Sequence, residues 1–271
     1  MQALTIDYRH DNNGRPAFIK HVEVEEIATQ FRHQLVGSDT KAISLDTLQT
    51  IESLKINGVD FALEISTDCE VHDEQGNTVF GICEYDPGIP DTAMVCISPI
   101  GEALSELLAT STLAHELGHA VFDAPGWIID GSKGPGLFDA VEPRGKHAYR
   151  TITPDRTHLG ATSHSGERAR IAEAVYFAEL RANEFMGSLL VPRQQLYAAV
   201  AELAPKYGVK PYRCPFLDPN IPNSNLRIIR TSKLMMESFE RGLATQFGVN
   251  PRFIHVRLQR YGLLDSGSAK R

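Results

Sequence analysis

Two long stretches of the chain place apolar residues three and four apart, and a block ahead of them alternates apolar with polar positions. Over 101–122 the stripe is Leu104, Leu107, Leu108, Leu113, Ala114, Leu117 and Val121. Over 171–190 it is Ile171, Val175, Ala178, Ala182, Phe185 and Leu189, closed by Pro192. That period predicts two amphipathic helices. Shorter helical patterns cover 23–36 and 44–54, the latter begun by Ser44 and Asp46. The period drops to two over 59–65, 79–85 and 93–97, which predicts strands, with 73–77 as the turn before the second. The expected fold is α+β, with a small, mostly antiparallel sheet beside the two long helices.

Residues 123–170 break both patterns. They are rich in Gly and Pro and hold the chain's single tryptophan, Trp127, with His147, Tyr149, His158 and His164. Loops of this length inside compact domains are usually functional or disordered, and the segment reads as a lid or substrate-recognition insertion. Further on, 232–264 has the character of a helix, a turn and a helix.

Composition changes this picture little. At 271 residues, with 42% hydrophobic and 23% charged positions, the chain can bury the core of one enzyme domain with appendages. Residues 1–7 have neither a basic start nor an apolar core, so a signal peptide is not expected; the reading is a cytoplasmic protein without a membrane partner. Cys69, Cys83, Cys96 and Cys214 form no C-x-x-C pair and read as small buried hydrophobes.

Charge is more informative. The net value of −7 conceals twelve Lys and Arg against four Asp and Glu over 206–271, near +8, leaving the rest near −15 (−7 − 8). The expected division is therefore a catalytic domain over 1–200, including the insertion, and a basic helical region over 201–271. Arg252, Arg257 and Arg260 fall on the second helix of 232–264, a candidate DNA contact.

The sharpest chemical signal is His115-Glu116-Leu117-Gly118-His119, lying inside the first long helix. Residues four apart share a helix face, so His115 and His119 can hold one tetrahedral Zn²⁺ while Glu116 serves as general base. A third ligand is expected from the second helix, which carries Glu173, Glu179 and Glu184. Glu179 borders the apolar stripe and has Asn183 one turn later, where its amide could take the free N–H of a ligating His. Glu173 and Glu184 are read onto solvated faces, Glu173 as a fallback ligand. Two His and one Glu leave the fourth position open, as in catalytic zinc sites.

Three separated motifs carry a family resemblance. His115-Glu116-Leu117-Gly118-His119, then Glu179-Leu180-Arg181-Ala182-Asn183-Glu184-Phe185 with Leu189-Leu190-Val191-Pro192, then 243–250 leading into Val256-Arg257-Leu258, resemble the ImmA/IrrE metallopeptidases over roughly 22–264. The resemblance implies a zincin-like core with a helical, helix-turn-helix-like C-terminal unit. It also implies a cytoplasmic zinc endopeptidase whose substrate is a regulatory protein such as a DNA-binding repressor or an antitoxin, in stress response or mobile-element control. One departure is large, since 59 residues (120–178) separate His119 from Glu179. Loop growth costs little stability, so the departure bears on substrate choice more than on metal binding.

Within this scheme His147, Tyr149, His158 and His164 are candidate hydrogen-bond donors to the oxyanion. An edge strand beside the metal could take an extended peptide as a further strand; a sheet that only packs against the motif helix is the competing reading. The alternative function is a transcriptional regulator that binds DNA through 232–264 and uses zinc structurally. Such a protein has no need of Glu116 as a non-ligand base.

Overall fold

The computed structural model describes residues 3–72, 78–133, 147–151, 167–215, 224–229 and 231–264, of which 147–151 and 167–172 are described by backbone alone. The chain divides into two compact units, one of Met1–Ser38 with Leu45–Leu189 and one of Asp39–Ser44 with Leu190–Arg271. This division falls after Leu189, ahead of the 200/201 position expected from charge and composition.

The first unit opens with β1 (Leu4–Ile6) and α1 (His21–Val36), then α2 (Leu45–Gln49), β2 (Ser53–Ile56) and β3 (Val59–Ser66). The helix expected over 44–54 ends at Gln49, and its last residues are a strand instead. The reason is local: Asn57 and Gly58 both take positive φ, 52° and 81°, and turn β2 back on β3 with Ile56 opposite Val59. An Asn-Gly pair between apolar runs is the strongest short-range hairpin signal.

Next come β4 (Val71–His72) and β5 (Thr78–Val79), a minimal antiparallel pair, then β6 (Gly81–Tyr85) and β7 (Thr92–Ile97). After α3 (Glu106–Phe122), α4 (Ala124–Ser132) and β8 (His147–Thr151), the unit ends in α5 (Glu167–Leu190). The main sheet runs β1-β2-β3-β7-β6-β8. Strands β1 and β2 are parallel, as are β3 and β7, while β2–β3, β6–β7 and β6–β8 are antiparallel. The fold is thus α+β with a mixed sheet. The parallel pairs were not expected, because a hydrophobic alternation fixes which residues face the core but not a strand's partner.

The stretch 123–170 is not a plain insertion. Pro125 sits in the first turn of α4, where its missing N–H is no loss, and Trp127 and Ile128 are buried. Residues 147–151 join the sheet, and 167–170 already belong to α5. His158 and His164 lie outside the described residues.

Helix α3 is buried on nearly every side from Ala109 onward and lies against β6 and β7. Phe122 meets Phe185 of α5 edge-on at 5.9 Å, and Phe185 meets Phe31 of α1 at 5.3 Å. These contacts fix α3 between the sheet and α5.

The second unit contains α6 (Arg193–Lys206), β9 (Pro211–Arg213), β10 (Leu226–Ile228), α7 (Lys233–Phe247) and α8 (Pro251–Arg260). Ser232 caps α7 and Asn250 caps α8, with Gly248 left-handed between them, so helix, turn and helix occur where expected. Arg257, however, is buried and donates to the Tyr261 hydroxyl, its guanidinium 4.2 Å from that ring's centroid. It is a core residue of this unit, not a surface cation. Among the described residues, no helix is long and apolar enough to cross a membrane. Of the cysteines, Cys83 is buried, Cys96 and Cys214 are partly covered and Cys69 is exposed, so only Cys83 fits the buried role expected of all four.

Candidate metal centre

Helix α3 begins at Glu106, where the Ser105 side chain accepts the Leu108 N–H, and carries the H-E-x-x-H residues into the interior. His115, Glu116 and His119 are only 3%, 0% and 0% exposed. Burying three ionisable side chains is costly unless they are paired or hold a metal. Here the imidazoles face each other, Nε2 to Nε2, at 3.2 Å.

The third group comes from α5. Glu179 places Oε2 3.3 Å from His115 Nε2 and Oε1 3.5 Å from His119 Nε2. One ligand atom from each of His115, His119 and Glu179 lies within 4.8 Å of the others, so this group could hold a metal ion. Burial works against a charge on His119. Hydrogen bonds to Asp123 and Glu179 outweigh it and push the imidazole up to about 10. Burial likewise opposes the charge on Glu179, yet hydrogen bonds from His115 and His119 bring its carboxyl down to about 2. Both shifts favour the charged forms, a negative Glu179 beside a positive His119.

Two glycines let α5 and β6 approach α3. A Cβ added to Gly118 would lie 2.8 Å from the Ala182 Cα, so α3 and α5 meet backbone to backbone midway along the motif. A Cβ on Gly81 of β6 would lie 3.0 Å from Glu116 Oε1 and 2.7 Å from Thr112 Cγ2. The bare backbone of β6 thus leaves room for the Glu116 side chain.

Asn183 does not take a histidine N–H. Its side chain is exposed and donates 2.8 Å to the Glu179 carbonyl of its own helix. Asp123 fills that role instead. His119 Nδ1 donates to its Oδ2 at 2.9 Å, and Arg181 Nη2 donates to its Oδ1 at 2.9 Å. That bond holds the ring with Nε2 turned toward His115 and Glu179. Asp123 stands four residues after His119, and this same-face spacing was the signal that could have identified it. Arg181 has no such signal, because its role depends on where α5 crosses α3.

Glu173 is exposed, as expected. Glu184 is not on a solvated face: it is 4% exposed and accepts the Ser188 hydroxyl at 3.3 Å. His147 and Tyr149 are in β8, where only the backbone is described, so neither can be placed as a donor to the site. Comparison of the chain with protein-family models, with curated proteins and with solved structures found no match.

Proposed function

We propose that the chain is a zinc-dependent endopeptidase of the ImmA/IrrE type with a zincin-like core, cleaving a regulatory protein such as a DNA-binding repressor or an antitoxin. The observation that carries this reading is the convergence of His115, His119 and Glu179 beside the buried Glu116. Zinc bonds to N and O ligands of ~2.0–2.1 Å imply tetrahedral ligand separations of about 3.3–3.4 Å. The separations found, 3.2, 3.3 and 3.5 Å, suit that ion. Two His and one Glu match a catalytic donor set with an open position, whereas structural zinc sites are closed by four protein ligands.

Held there, Zn²⁺ would supply a Lewis acid that polarises a carbonyl and acidifies water. The protein's own groups do the rest. Glu116 takes a proton from the water that attacks the scissile carbonyl carbon, and passes it to the amine as the C–N bond breaks. Asp123, steadied by Arg181, holds the His119 ring.

The regulator reading loses support from the burial of Arg257, since a cation inside the core cannot neutralise phosphate. Metal analysis of the purified protein, then incubation with candidate repressors, tests the proposal. Glu116→Gln should retain the metal and lose cleavage by roughly 10²–10⁴-fold; His119→Ala should lose both. Full activity in metal-stripped protein would overturn it.

A further inference from the structure

A Cβ on Gly81 of β6 would lie 3.0 Å from Glu116 Oε1, and β6 is antiparallel to β7 on one side. Its other side is taken by β8, the last strand of the sheet among the described residues. The register pairs Gly81 with Thr151, Cys83 with Tyr149 and Tyr85 with His147. Strand β8 also lies against α3. The chain's own backbone therefore runs along β6 and finishes opposite the residue that borders Glu116.

An extended peptide presented to Glu116 by strand addition would need the same N–H and C=O groups of β6. One backbone group row cannot serve two strands on one side, so β8 and such a peptide exclude each other. We infer that β8 is an internal occupant of the substrate edge, which holds the chain closed toward peptides until it leaves β6.

This inference rests on the peptidase reading and adds to it a control on access. Strand β8 would act by competing with a peptide for the hydrogen bonds of β6. Apparent affinity for a peptide is the intrinsic affinity scaled by the fraction of chains with β6 open. Anything that draws β8 away would raise activity without touching a metal ligand.

The test uses the full-length, metal-loaded protein with Ala148→Pro and Tyr149→Pro made separately. Neighbouring residues of a strand aim their N–H groups to opposite sides, so one of these prolines removes a bond to β6 and the other serves as its control. Three readouts are taken: hydrogen exchange of the 81–85 amides, hydrolysis of quenched fluorescent casein, and binding of a synthetic peptide with the sequence of residues 145–153. Binding is measured in the Glu116→Gln background, where turnover does not interfere.

One proline variant should expose the amides within 81–85 that face β8, while those facing β7 stay protected, bind the peptide roughly tenfold or more tightly than the parent, and hydrolyse casein faster by a similar factor. The bound peptide should restore protection to 81–85. The inference is overturned if neither variant exposes those amides, or if they are exposed while peptide binding stays at the parental level. If the peptide binds and protects β6 but no variant hydrolyses casein or any candidate repressor, the peptidase reading fails and the occupied edge stands.

Discussion

Asp123 shares its carboxylate between the His119 ring and the Arg181 guanidinium, so its removal would act on the candidate metal centre through the ring it steadies. Asp123→Asn is expected to weaken zinc binding roughly 10–100-fold in competition with a chelator. Asn183→Ala should leave it unchanged, and an equal loss from both would contradict this assignment. A pH dependence follows for the metal-free protein. His119 titrates near 10 when folded against 6.5 ordinarily, so its contribution to stability is complete below 6.5 and lost as pH rises through 10. Glu179 titrates near 2 against 4.5, so its contribution is present above 4.5 and lost as pH falls through 2. Melting temperature in chelator should therefore decline from neutral toward pH 10, and Glu179→Gln should flatten that decline. At this scale much was legible: His115, His119 and Glu179 were expected together, and one ligand atom of each lies within 4.8 Å of the others. The partner of His119 also obeys that spacing, but four residues on from His119 itself and not four on from Glu179 in α5.

Where α3 crosses α5, the Gly118 position decides how near the ligands come. Alanine is favoured over glycine inside a helix by about 1 kcal/mol. At this position its methyl would meet the Ala182 backbone at 2.8 Å, contact that flexible side chains cannot relieve. Gly118→Ala should thus destabilise the protein by about 1–3 kcal/mol in urea unfolding, and weaken metal binding as Glu179 is pushed outward. A neutral or stabilising result would mean that the helices do not touch there. The helices themselves were readable from their apolar stripes. Strand β2 was hidden inside a helical pattern, although the Asn57-Gly58 turn announced it. Strand β8 was hidden among glycines and prolines, because nothing in a five-residue run states that β6 has a side to fill.

For the molecule as a whole, the basic C-terminal stretch suggested a nucleic-acid surface, and the structure turns one of its central cations inward. Arg257→Ala should cost about 1–3 kcal/mol by removing a buried cation packed on Tyr261, whereas the exposed Arg252→Ala should stay within about 0.5 kcal/mol; urea midpoints separate the two. Equal, negligible effects would return Arg257 to the surface. The sequence by itself determined the α+β class, the two long helices, and the grouping of His115, His119 and Glu179 that could hold a metal ion, with Glu116 beside them. Each of these is set by periodicity or by spacing within one helix, which are local properties of the chain. Only the tertiary structure decided that Asp123 and Arg181 stand behind His119, that Gly81 and Gly118 admit Glu116 and α5, that Arg257 is buried, and that β8 lies on β6. These depend on which elements become neighbours, and side-chain pattern along a chain constrains a face without naming what packs against it.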